Sequence, residues 1–141
     1  MIYSPPIIQP IPSQGLWLLY EDWWREMPYA KSILHIKKGF IFDGASIPRS
    51  CWTLTGFTPS DPRIISEALG HDGLYAGHMF GEGPHGRLAC DREFLSLMQL
   101  GHPDLRKLAS VFYDAVRIGG ESAFNNHAGH TQEMRKLVTF W

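Results

Sequence analysis

The sequence predicts an α+β fold: a small N-terminal antiparallel β-sheet packed on a C-terminal bundle of three to four helices. Three observations predict it. Residues 16–42 hold short β-branched and aromatic runs bounded by turn residues, the pattern of strands. From residue 61 onward, apolar residues recur at helical spacing. The chain has 141 residues, 44% of them hydrophobic, 13% aromatic and 19% charged, which suits one folded domain rather than a disordered chain.

Residues 1–15 contain Pro5, Pro6, Pro10 and Pro12 and are expected to form an extended arm, with the domain proper spanning 16–141. Ile7, Ile8 and Ile11 make that arm too apolar for a solvated tail, so it is expected to pack on this chain or on a neighbour. It holds no basic residue and does not read as a secretory signal. No apolar run reaches the roughly 18 residues a membrane-spanning helix needs. Strands are expected at Leu16–Tyr20, Ile33–Ile36 and Phe40–Phe42, the last after the turn Lys37-Lys38-Gly39. Trp23 and Trp24 are adjacent, and neighbours on a strand point to opposite faces. One of them is therefore expected at the surface or against a partner.

Asp61-Pro62 reads as a helix start, an N-cap acceptor followed by proline, with the helix running to His78. A second helix is expected from Arg87 to Leu100, and a third from Pro103 to Ile118, stopped by Gly119-Gly120. On the third, Leu105, Leu108, Phe112 and Val116 form one apolar stripe. Residues 119–130 read as a Gly, Asn and His loop, and 131–140 as a short last helix.

The net charge is −1, from 13 Lys+Arg against 14 Asp+Glu. So even a balance gives no field that would draw the chain to nucleic acid. Cys51 and Cys90 can make at most one bridge and cannot build a four-cysteine zinc site. They read as reduced, partly buried thiols of an intracellular protein. Seven histidines stand out, since histidine titrates near neutrality and is the commonest metal ligand.

Helical spacing singles out one of the seven. Leu88, Asp91, Leu95 and Met98 share a face of the second helix, and an unpaired carboxylate on such a face is costly. Ile64, Ala68, His71 and Tyr75 share a face of the first. A short connection makes the two helices antiparallel neighbours, so His71 and Asp91 suit each other as an imidazole–carboxylate pair. Such a pair either orients a general base or locks two helices together. Asp72 points about 100° away around the helix, where it could hold a cation. In the turn Asp43-Gly44-Ala45-Ser46-Ile47-Pro48-Arg49, Asp43 and Ser46 suit an Asx-type turn, and Arg49 could pair with Asp43, Asp72 or Asp91. Together these residues could line one cleft, with Tyr75 and Tyr113 as hydroxyl donors at its rim. His78 and His85 flank a Gly-rich loop, and His127 and His130 are spaced as half of a metal site without matching partners. His35 reads as a strand-face residue. His102 reads as a cation at a helix end.

Four stretches carry a family resemblance: Gly39-Phe-Ile-Phe-Asp43-Gly-Ala-Ser46-Ile-Pro48-Arg49, His71-Asp72-Gly-Leu-Tyr75, Cys90-Asp91-Arg-Glu-Phe94 and Tyr113-Asp-Ala-Val116-Arg117-Ile-Gly119. In this order they resemble a family of uncharacterised proteins encoded in bacteriophages and prophages. Phe42 stands where that family favours a small hydroxyl residue, and Cys90 where it favours alanine. The resemblance implies a phage-type protein of virion or host cytoplasm and no particular activity. A site-level similarity to phospholipases A2 rests on His71-Asp72, Tyr75 and Cys90-Asp91. There the His is the base, the following Asp binds calcium, and the Asp of the second helix orients the His. This chain lacks the disulfides and the usual Gly-rich calcium loop of those enzymes, for which Asp43-Gly44 would have to substitute.

Two functions follow as expectations. One is a virion component of tail or neck with protein partners, phage structural proteins or further copies of itself, held through the Pro-rich arm and exposed tryptophan. The other is a hydrolase with His71 as base, Asp91 orienting it, Tyr75 assisting, and Asp72 or Asp43 holding calcium or another divalent cation.

Overall fold

The computed structural model describes residues 4–11, 16–42, 47–58, 60–130 and 132–141, the side chains of 126–130 and 132 excepted. It is an α+β fold. Strands β1 (Ile8–Ile11), β2 (Leu16–Leu19) and β5 (Ile41–Phe42) form one antiparallel sheet in the order β1-β2-β5. Strands β3 (Trp23–Met27), β4 (Ser32–Ile36) and β6 (Val138–Phe140) form a second, in the order β3-β4-β6. The helices are α1 (Arg49–Thr55), α2 (Ile65–Gly77), α3 (Gly83–Gln99), α4 (Pro103–Arg106), α5 (Ala109–Gly119), α6 (Glu121–His130) and α7 (Gln132–Arg135).

The pleat explains the adjacent tryptophans. Trp23, Arg25 and Met27 face inward from β3, and Trp24 and Glu26 face out. In the Pro-rich segment, Ile8–Ile11 pairs with β2 in the register Ile8 to Leu19. Pro10 is tolerated because β1 is an edge strand.

Helix α2 is buried on every side from Ile65 to Ala76. It is the central element, with the two sheets and α3 packed around it. Small residues make that possible. A Cβ on Gly73 would lie 2.5 Å from Cδ1 of Ile36, and one on Gly70 would lie 3.5 Å from Cε of Met27, so β3 and β4 approach the helix backbone directly. One apolar cluster joins the sheets to α2 and α3 through Leu19, Trp23, Leu34, Ile36, Phe42, Leu69 and Leu97. A second joins α1, α2, α3 and α5 through Cys51, Ile64, Phe94, Met98, Phe112 and Val116.

Several boundaries differ from expectation. Asp61 accepts the backbone N–H of Arg63 through its side chain, and those of Ile64 and Ile65 through its carbonyl. The residues after Pro62 therefore make a turn first, and α2 begins at Ile65. The expected third helix is broken. Its apolar stripe is continuous, but the backbone turns at Lys107-Leu108 into α4 and α5. Residues 121–130 are helical rather than a loop. Glu121 suits the first turn, and Phe124 is buried against His78 and Tyr75. The expected last helix is only the short α7, after which the chain adds β6 to β4, with Val138 opposite Ile36. That pairing buries Val138 in the sheet-side core, which four more residues of isolated helix could not do. Arg49–Thr55 folds as α1, closed by Gly56 at φ 77°.

One carboxylate in the fold carries a structural task that spacing did not reveal. Glu93 of α3 accepts the backbone N–H of Tyr29 at 2.9 Å and of Ala30 at 2.7 Å, closing the turn between β3 and β4. Burial pushes its carboxyl upward, against the two amide donors. Glu93→Ala orphans both amides and is expected to cost about 2 kcal/mol. Urea unfolding measures that loss, and hydrogen exchange should show the Tyr29 and Ala30 amides losing protection.

Candidate functional site

The expected pair forms. Nε2 of His71, on α2, donates to Oδ1 of Asp91, on α3, at 2.7 Å. The Tyr75 hydroxyl, one helical turn on from His71, donates to the same oxygen at 2.6 Å. Two guanidiniums take the other oxygen. Nη1 of Arg117, on α5, reaches Oδ2 of Asp91 at 2.7 Å, and Nη1 of Arg87, on α3, at 3.4 Å. Asp91 thus draws three helices to one carboxylate, and both His71 and Asp91 are 0% exposed.

Sequence spacing places the residues. His71 and Tyr75 are four apart on α2, as are Arg87 and Asp91 on α3, so each pair lies on one helix face. Arg117 enters from the last turn of α5. Gly120, just beyond, keeps the junction open, since a Cβ there would lie 2.6 Å from the Tyr75 hydroxyl and 3.2 Å from Nη1 of Arg87. Arg87 also donates to the carbonyls of Val116 at 3.0 Å and Arg117 at 3.1 Å. It thereby closes the C-terminal end of α5, where a cation also suits the helix dipole.

The electrostatics follow from these contacts. Burial would raise the Asp91 carboxyl, but the hydrogen bonds from His71, Tyr75 and Arg117 outweigh it and hold the group below its ordinary value of 3.8. Burial beside Asp91 pushes the Tyr75 hydroxyl upward, so it remains a donor. Burial also raises the Cys90 thiol, with Asp91 adding to the rise. Cys51 and Cys90 are both free and buried. The His71 ring lies 4.1 Å from that of Tyr75 and 4.5 Å from that of Phe94. Its Nδ1 is buried and has no hydrogen-bond partner among the described residues.

The remaining expected residues that are described take other places. Arg49 is exposed, with its guanidinium 5.4 Å over the Trp52 ring. The cations on Asp91 are Arg87, one turn earlier on α3, and Arg117, on the neighbouring α5, instead. Tyr113 lies beside the Arg92 guanidinium, together with Tyr29, and Tyr75 is in the core rather than at a rim. Asp72 is buried on the adjoining flank of α2. Asp43 and Ser46 lie outside the described residues, as do the side chains of His127 and His130. Among the described residues, no group of three His, Cys, Asp or Glu side chains is placed to hold a metal ion.

The other histidines have structural surroundings. His78 ends α2 at φ 45°, stacks on Phe124 at 4.1 Å, donates from Nε2 to the Phe124 carbonyl at 3.0 Å, and meets Glu82 through Nδ1. His35 contacts Asp22 through Nε2 at 3.0 Å and stacks on Trp24 at 4.6 Å. His85 is exposed. His102 stands at the N-terminal end of α4, where its ring accepts the N–H of Asp104. It stands at a helix N-terminus, not at a C-terminus.

Apolar helix-face spacing does not single out Arg87 and Arg117. The signal available was the i, i+4 spacing of Arg87 and Asp91, together with the arginine two residues before Gly119-Gly120.

No curated protein and no solved structure matches the chain. No described helix is long and apolar enough to cross a membrane. The family model for a protein of unknown function, DUF1353, matches residues 17–119. That span runs from β2 to the last residue of α5 and contains His71, Tyr75, Arg87, Asp91 and Arg117, and the chain belongs to this family.

Proposed function

We propose that this chain is a structural or assembly component, of a phage-type particle as its motifs imply, and that it docks on a protein partner. The observation that carries this reading is the outer face of the β3-β4-β6 sheet. Trp24, 41% exposed, Ile33, 43%, and Trp141, 71%, gather there around His35. Trp24 stacks on the His35 ring, and Trp141 meets it edge-on at 5.7 Å. Trp141 continues β6 beside Ile33 through two backbone hydrogen bonds. An aromatic cluster of this kind on a solvent face suits a protein interface. In this reading His71 and Asp91 pin α2 to α3. A general base must reach water or substrate, whereas the His71 ring is wholly buried.

The test places Trp24→Ser and Trp141→Ser together in the native genome and weighs purified particles by mass spectrometry. The wild-type chain should be in the particle. The variant should be missing from it, while its isolated form melts within a few degrees of wild type. Particles that assemble and infect normally without the chain would overturn the reading.

A second reading, a His/Asp hydrolase, is favoured by one observation. Asp91, itself held by the Tyr75 hydroxyl, takes Nε2 of His71 and leaves Nδ1 without a partner among the described residues, the arrangement of an oriented base. Under this reading His71→Ala abolishes calcium-stimulated ester hydrolysis by the purified chain. A wild-type chain with no such activity removes the reading.

A further inference from the structure

A cavity of about 280 Å³ lies where the start of α3, the end of α5 and the start of α6 meet, with Pro84, Arg87, Arg117, Glu121 and Phe124 in its wall. Its two guanidiniums are those that hold Asp91. Both guanidiniums are turned to the one buried carboxylate of Asp91, and the wall carboxylate, Glu121, is paired with neither. Arg87 is largely consumed by Asp91 and by the carbonyls of Val116 and Arg117. Arg117 is not. Its described contact is through Nη1 to Asp91, and its side chain is 28% exposed. The Nε–Nη2 edge, the fork that matches two oxygens of a carboxylate or phosphate, meets no polar partner among the described residues. The N-cap of α3 is Glu82, whose carboxylate is taken by His78 and Arg135 and does not cap the helix, so the first-turn amides still present a partial positive charge. Pro84 and Phe124 give the cavity apolar walls.

We propose that this cavity binds a small oxyanion, a carboxylate or phosphate monoester group on a short apolar body. The free edge of Arg117 grips it, and Arg87 lies behind as a fixed charge. Asp91 positions both guanidiniums and does not touch the ligand. The site is independent of the docking face on the β3-β4-β6 sheet.

The test titrates the isotopically labelled full chain with inorganic phosphate, sodium acetate and sodium chloride at matched ionic strength, following arginine Nε–H and backbone amide NMR signals. Phosphate or acetate should give saturable shifts centred on Arg117 and residues 83–87, with dissociation constants in the millimolar range, about 1–10 mM. Chloride should give none. Phosphate binding tighter than acetate assigns a phosphorylated ligand, and the reverse order a carboxylated one. Arg117→Gln should weaken binding by about tenfold or more. Because that change also loosens Asp91, Glu121→Gln is the second variant. It leaves the Asp91 contacts intact and removes a like charge from the wall, so binding should tighten about two- to fivefold. The proposal is overturned by shifts that fail to saturate by about 50 mM, by shifts centred away from Arg117, or by unchanged or weaker binding in Glu121→Gln.

Discussion

Asp91→Ala is expected to lower stability by about 3–5 kcal/mol, because removing one partner leaves the other charges buried and unpaired. Arg87, Arg117, His71 and Tyr75 all lose their common acceptor. The melting temperature should fall by about 10 °C or more. Asp91→Asn keeps the shape and one carbonyl acceptor but loses the charge, and should cost about 2 kcal/mol. The pH dependence gives an independent check. The Asp91 carboxyl sits below 3.8 in the folded chain, so its contribution is fully present above that value and is lost as the pH falls through the folded pKa. Glu67 and Glu93 run the other way. Burial raises both against their partners, so the folded chain is favoured as they take up protons. Urea unfolding from neutrality down to about pH 3 should show wild type losing more stability than Asp91→Asn at the acid end, with the glutamate terms common to both. Equal acid slopes would mean that Asp91 carries no charge in the folded chain. A cycle with His71→Leu then isolates the pair, and a coupling of about 1–3 kcal/mol is expected for groups in direct contact.

The reach of the sequence can be judged at particular residues. His71, Tyr75 and Asp91 were legible because helical periodicity fixes which residues share a face, and a short connection fixes which faces meet. Trp23 and Trp24 were legible because a strand alternates. What was lost depends on tertiary context. The strand Val138–Phe140 could not be distinguished from helix because its pairing partner, β4, is about a hundred residues away. The Gly, Asn and His content of residues 119–130 reads as a loop, yet Phe124 supplies enough burial between Tyr75 and His78 to hold a helix from Glu121. Arg117 was legible as a cation but not as a ligand of Asp91, since nothing local fixes how α5 approaches α3. The break at Lys107-Leu108 left the apolar stripe intact, so periodicity alone did not show it.

Gly86→Ala is the other change with a large expected effect, and it tests the connection that sets α2 against α3. Alanine in a helix interior ordinarily gains about 1 kcal/mol over glycine. Here a Cβ would lie 2.0 Å from the carbonyl oxygen of Gly81 and 2.6 Å from its carbonyl carbon. Those are backbone atoms, and the segment is pinned. Gly81 at φ 99° donates to the His78 carbonyl at 2.8 Å, and His78 at φ 45° ends α2. Relief therefore requires moving the whole connection, along with Arg87, the next residue, and its contacts to Asp91 and to the end of α5. A net loss of about 3 kcal/mol is expected, at the upper end of overpacking costs. Gly73→Ala is the control. Its Cβ meets Cδ1 of Ile36 at 2.5 Å, a terminal methyl that can turn aside or be removed. Its loss should be nearer 1 kcal/mol, and Ile36→Val should restore most of it by deleting the methyl that clashes. No side-chain change offers Gly86→Ala the same relief, because the obstacle is the peptide of Gly81. Thermal and urea unfolding of the two glycine variants, with and without Ile36→Val, separate the cases. Equal losses in both variants would mean that the α2–α3 connection yields as easily as a methyl group, and that His71 and Asp91 are held together by their own contacts alone.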